Sequence, residues 1–574
     1  VYPQIRASPA DSRRKESRLA VWFGAPVTLA GAAEIRLLPT PRVRWADATL
    51  TRAGEPSPFV RAEAIEITLA PLGLLTGRDD VARLILRRPE MRLARPPLPS
   101  IDTLADRLAA LPALDAAILD GRLDLVAADG SSERIEAIDL TLHRPGHGLA
   151  DLALRAHRGG EPLSLEIEGP TDLAAEGSSR VRLALDAPGL SLRQSGAVET
   201  GSRRALAGSL AVDVTDADRF AAWIGAAQLD GLLAAPLHVD GTLRATPDGA
   251  TLDDVTLGLG TARAAGALRL GRAADEAMVS GTLAFGAIDL TGATPLFGPG
   301  WRDLPLDRDG PALDLRLSAS GLRTPFVAVD RIAATVHLIA GRLIAEVGEA
   351  SLWERPLSLA VTGDFAADGF RGTLRAQGRD LPAAEIGALF AVAGVEAGTV
   401  VAGFAGEPRC ARLGDCVGAV AGRLQLAGRN LAITGNSPFG DVTRFHPIVV
   451  GPKTTPKKAI WSRADADVRL VGVEATVDQI DIVGDVARFG LRGTGNLADG
   501  TLDLAGHALF PNFRADPARS GSDTIRLPIR VHGAVHRLEI TPAMPEAVPA
   551  PRPPPTTLPP ALMPITPPPL APTE

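Results

Sequence analysis

The stretch LSLEIEGPTDLAAEGSSRVRLALD, residues 163–186, decides the fold. Leu163, Leu165 and Ile167 alternate with Ser164, Glu166 and Glu168, and Val181, Leu183 and Leu185 alternate with Arg182, Ala184 and Asp186. Side chains on a strand point alternately to opposite faces, so a period of two predicts strands with one apolar and one wet face. The same pattern occurs upstream at Ile65, Ile67 and Leu69. It recurs downstream at Leu313, Leu315 and Leu317, and at Ile525, Leu527, Ile529 and Val531. Turn signals separate such runs: Asp129-Gly130, Pro247-Asp248-Gly249, Asp368-Gly369 and Asp499-Gly500. The expectation is consecutive antiparallel hairpins. Long helical patterns able to cross over between parallel strands are missing, which argues against a doubly wound α/β fold.

Working outward, a chain of 574 residues exceeds one ordinary core, so several domains or an elongated repeat is expected. Hydrophobic residues are 45% but aromatic residues only 4%, with Tyr2 the single tyrosine. Many aliphatic side chains and few large anchors suit a thin, one-sided sheet better than a dense core. A loose repeat is visible. Gly208-Ser209-Leu210 leads to Trp223, Gly281-Thr282-Leu283 to Phe297, and Gly372-Thr373-Leu374 to Phe390. Each unit reads as a strand, an aspartate at its end that caps a short helix, and an aromatic plug. Ser8, Pro9 and Asp11 open a predicted helix over residues 8–23. From about Ala547 the chain is dense in proline and reads as an extended tail.

Signatures of chemistry fail in turn. The net charge of −7, with both signs scattered, provides no field for nucleic acid. No Gly-Lys-Ser/Thr and no G-x-S-x-G occurs, and Gly493-Thr494-Gly495 lies between alternating strands rather than opening a helix. His532 and His536 lack the general-base Glu of a zinc protease, and His143 and His147 flank the turn residues Pro145-Gly146. Asp307-Arg308-Asp309-Gly310 fails as a calcium loop, because Pro305 and Arg316 would stand at its first and last ligand positions. Neither a cofactor nor a metal site is expected, and the chain reads as a non-enzyme. Cys410 and Cys416 have no flanking His or further Cys, and read as a small disulfide loop of an oxidising compartment.

Two regions resemble the AsmA family of bacterial envelope proteins. One is FGAPVTLAGAAEIRLLPTPRVRWADATL, followed by AEAIEITLAPLGLLTG and VARLILRRPEMRLARP. Its matching points are Leu38-Pro39, Trp45 to Leu50, Leu72 to Leu75 and Arg88-Pro89. The other is WSRADADVRLVGVEATVDQIDIVGDVARFGLRGTGNLADGTLDLAGHALF, best matched from Gly493 to Leu504. The order of these motifs along one chain carries the resemblance. It implies a periplasmic protein of a Gram-negative bacterium, tethered to the inner membrane by an anchor preceding Val1. Its long sheet would curl into a groove or taco-like trough and serve outer-membrane lipid homeostasis.

The expected architecture is therefore mainly β: an elongated, curved antiparallel sheet of repeating hairpins, with a short N-terminal helix and a few other short helices. Its parts are a juxtamembrane segment (1–26), an AsmA-like N-terminal region (27–200), a repeat region (201–400), an AsmA-like C-terminal domain (401–545) and a Pro-rich tail (546–574). The expected lipid-facing residues are Ile65, Ile67, Leu69, Leu163, Leu165, Ile167, Val181, Leu183, Leu185, Leu313, Leu315 and Leu317. An apolar face without polar interruption would hold phospholipid acyl chains and let them slide. The alternatives are an assembly scaffold that engages an outer-membrane or envelope protein, and a glycan hydrolase with two carboxylates in a cleft.

Overall fold

The computed structural model describes residues 27–543, apart from 37–39, 53–57, 71–80, 95–113, 127–131, 147, 172–175, 202–203, 227–230, 232, 274–275, 292–301, 303–310, 325–326, 390–391, 393, 419–420, 435–457, 485–486 and 512–523. The predicted helix at 8–23, Asp129-Gly130, Phe297, Asp307 to Gly310, Phe390 and the Pro-rich tail lie outside the described residues.

Among the described residues the chain is mainly β. Thirty strands, from β1 (Val27–Arg36) to β30 (Arg537–Pro542), form one long sheet, with only three short helices. Nearly every strand pairs antiparallel with the next. Thus β8 (Leu149–Arg158), β9 (Glu161–Pro170), β10 (Gly177–Ala187), β11 (Leu190–Thr200) and β12 (Ala205–Val214) form a meander with continuous register. Turns at Pro247-Asp248, Ala367-Asp368 and Leu497 to Gly500 join strands where the sequence signals placed them. The sheet runs without interruption through positions 200 and 400; Val400 lies inside β22 (Val395–Glu407).

The expectation of antiparallel hairpins throughout requires correction at two places. β16 (Glu276–Asp289) pairs parallel with β17 (Ala312–Arg323). β4 (Val81–Arg87) and β5 (Glu90–Ala94) both pair parallel with β6 (Leu114–Val126). Residue alternation reports which face a side chain takes but is blind to strand direction. The intervening stretches, 290–311 and 95–113, have the dozen or more residues that a parallel crossover needs.

The repeat units are borne out unevenly. In α1 (Ala217–Ile224), Asp216 caps the helix, its Oδ1 accepting from the Arg219 amide at 2.9 Å. Such a cap stabilises a helix by about 1 kcal/mol. In the third unit, α2 (Ala383–Leu389) follows Pro382, and Asp380 is no cap. Asp380 instead takes φ 53° at a register shift between β21 (Gly369–Pro382) and β22, where the extra residue of a bulge must turn. The third helix, α3 (Leu413–Gly418), carries Cys416, which is disulfide-bonded to Cys410 with Cα atoms 5.0 Å apart.

Burial is concentrated at the two ends of the sheet. One core gathers Val43, Trp45, Leu50, Val60, Ile65 and Leu86, and the other Trp461, Phe489, Leu491, Leu504, Ile529 and Val531. Of the largest fully buried side chains among the described residues, only Val255 lies between residues 115 and 432. The middle of the sheet buries mainly small residues such as Ala156, Ala262 and Ala312.

Candidate functional site

Register places the apolar residues of successive strands side by side. Starting in the N-terminal core, Trp45 lies opposite Ile65, and Ile65 opposite Leu86. The row passes through Ile118 and Leu140 to Leu154. Leu154 faces Leu165, which faces Leu185, then Leu192 and Val212. The line continues through Val239, Leu257, Ala264 and Phe285 to Ala319, on the far side of the parallel step. One face therefore stays apolar across more than a dozen strands, because every bulge on the way restores the phase of its neighbours.

All the residues named from sequence lie on this face, but their surroundings differ. Ile65 and Ile67 are 1% and 5% exposed and belong to the packed N-terminal core, with Leu69 against it. They line no open surface, which corrects the expectation for these two. Leu163, Leu165, Ile167, Val181, Leu183 and Leu185 are half-buried, as are Leu313, Leu315 and Leu317. Leu165 faces Leu185 and Ile167 faces Leu183, so four of them make one contiguous patch. Further along, Leu359 is 37% exposed on the same face. A half-buried leucine retains only part of the ~1.5–3 kcal/mol that full burial gives.

The face is not purely apolar, contrary to expectation. Gln194 sits in it, opposite Leu183 on one side and Leu210 on the other. It is 6% exposed, and its Nε2 has no hydrogen-bond partner. The period of two extending from Leu190 and Leu192 would have found it. Where α1 crosses the end of β8, Arg158 pairs with Glu133, and its guanidinium lies 4.7 Å from the Trp223 ring centroid. The Trp223 Nε1 is likewise buried without a partner.

The opposite face is polar, with charges matched across strands. A shallow depression of about 640 Å³ runs from β4 across β6 to β12, lined by Arg83, Asp115, His143, Asp151, Glu166, Glu168 and Arg182 among others. His143 lies 2.6 Å from Asp115, and Glu168 lies 3.2 Å from Arg180 and 3.6 Å from Arg182. His238 is held between Asp213, its cross-strand neighbour, and Asp240. The hydrogen bond that the His238 ring donates to Asp213, supported by Asp240, raises the His238 pKa above the ordinary imidazole value. The pair of a glycan hydrolase is two carboxylates in contrasting surroundings. Here Asp151 and Glu166 both face solvent and Glu168 is ion-paired.

His532 stands on this polar face opposite Asp503 and Glu539, at the end of its strand, and His536 lies in the following turn. No group of three or more His, Cys, Asp or Glu suited to a metal ion occurs among the described residues. No described helix is long and apolar enough to cross a membrane. No family model, no curated protein and no solved structure matches the chain.

Proposed function

We propose that the protein binds phospholipid acyl chains on its apolar face and carries them between the inner and outer membranes of a bacterial envelope. The observation that supports this is the contrast along the apolar face of the sheet. Apolar side chains are sealed at the two ends of the sheet and half-exposed through its middle. An apolar face gains free energy by being covered, and each CH₂ removed from water contributes about 0.8 kcal/mol. An acyl chain has the length to follow a cross-strand row, and closely spaced leucines hold it at no single register. The disulfide fits an oxidising compartment such as the periplasm. The resemblance of residues 23–94 and 461–510 to the AsmA family points to the same compartment and task.

The test is native mass spectrometry with lipid extraction on protein expressed in a periplasm. Stoichiometric phospholipid is expected on the wild type. It should be lost when Leu165, Ile167, Leu183 and Leu185 are changed to Asp in a variant whose β-sheet circular dichroism is unchanged. A folded wild type without lipid would overturn the reading. It would then favour the scaffold alternative, for which the outer edge of β30 offers a short strand to a partner.

A further inference from the structure

Beside the half-buried row, the apolar face carries a side chain that an apolar sheet does not need. Gln194 is flanked in register by Leu183 and Leu210 and along its own strand by Leu192 and Gly196. It is 94% buried, being 6% exposed, yet its amide Nε2 meets no acceptor. Leaving a buried donor unpaired costs more than a hydrogen bond normally returns, so such groups call for a partner that completes them. Gln194 stands four residues from the start of β11, about 13 Å along the strand. At that end the Trp223 Nε1 is a second buried donor without a partner, beside the Arg158–Glu133 ion pair. Gln194 is thus a lone donor inside the apolar face, separated from the margin marked by Trp223 by Leu190 and Leu192.

We infer that Gln194 is the anchoring point for a diacyl glycerolipid, its Nε2 donating to an ester carbonyl oxygen of the bound lipid. This rests on the lipid-binding reading above and sharpens it. The chemistry selects an ester because the ligand must present an acceptor at the depth of Gln194 and hydrocarbon on either side of it. A free fatty acid would place a carboxylate there, with no cation in the register positions around Gln194 to balance it. With the ester at Gln194, the acyl chains lie over Leu183 and Leu210, and the headgroup extends past Leu192 and Leu190 toward Trp223. The sliding expected of a uniform apolar face thus acquires a preferred stop.

The experiment compares a diacyl phosphatidylethanolamine with its dialkyl ether analogue, chain lengths matched, in competition for the lipid-free full chain, read by native mass spectrometry. Wild type is expected to prefer the ester by about tenfold, the scale of one hydrogen bond that satisfies a buried donor. Gln194→Met and Gln194→Leu should bind both lipids within about twofold of each other. Met is close to Gln in shape and adapts to irregular gaps, so it guards against loss of fold. A wild type that binds both lipids equally would overturn the anchoring role while leaving lipid binding intact. So would variants that keep the ester preference. A wild type that binds neither lipid would overturn both, and would assign the Gln194 donor to a buried water.

Discussion

Leu165 of β9 and Leu185 of β10 lie directly opposite one another, both half-buried and both on the face shared with Leu154 and Leu192. Their exposure separates the consequences of mutating them. Changing both to Asp should abolish copurified lipid while lowering the melting temperature by only a few degrees, because little buried area is lost. Differential scanning fluorimetry beside lipid extraction checks both halves. A collapse of the fold would show that this patch is a packed core.

The opposite behaviour is expected at Trp461 and Phe489, whose rings are 5.4 Å apart and 0% and 1% exposed. Phe489→Ala should cost about 3–5 kcal/mol of stability, through lost transfer energy and the cavity left behind. Urea denaturation followed by Trp fluorescence measures it, and lipid loading at low denaturant should be unchanged.

Gly196 and Gly208 face each other across β11 and β12. A Cβ at Gly196 would come within 2.0 Å of the Ala207 carbonyl oxygen and 2.6 Å of the Gly208 Cα. Neither atom can swing aside as a side-chain tip could. Gly196→Val should therefore break the local pairing, seen as loss of amide exchange protection in β11 and β12 alone.

His238 gives a pH dependence with a definite sign. Its folded-state pKa lies above the unfolded value of about 6.5, because Asp213 and Asp240 favour the imidazolium. The stabilisation is fully present below that value and fades as pH rises through the folded pKa. Melting temperature should fall as pH is raised from just below 6.5 into the weakly alkaline range. His238→Gln should flatten that part of the profile. An unchanged profile would show that solvent screens the pair.

The Cys410–Cys416 disulfide closes a short loop. A loop this small restricts the unfolded chain only modestly, so Cys410→Ala with Cys416→Ala should cost about 2 kcal/mol or less. Thiol titration of the protein from a periplasmic preparation should find no free cysteine; finding two would remove the support for an oxidising compartment.

How much was legible varied with what each residue's role depends on. The alternation at 163–167 and 181–185 already placed three side chains of each strand on one face of that strand, because the pleat imposes a period of two whatever lies beyond. A capping aspartate at the strand end was legible because capping is decided within four residues, and the structure makes it Asp216. Asp380 carried the same local pattern and became a bulge instead, since the register of β21 against β22 outweighed it. Gln194 falls in the same period of two, between the polar neighbours Arg193 and Ser195.

By itself, then, the sequence determined the strands, the apolar and polar face of each, and many of the tight turns, all of which follow from short-range geometry. Tertiary structure alone decided the parallel steps into β17 and β6 and the joining of separate runs into one row from Trp45 to Ala319. It also decided the division of the sheet into sealed ends and a half-exposed middle, and the stranding of the Gln194 donor. The physical reason is common to these. Strand direction, burial and hydrogen-bond satisfaction belong to pairs and layers of chain segments, whereas the alternation belongs to one segment alone.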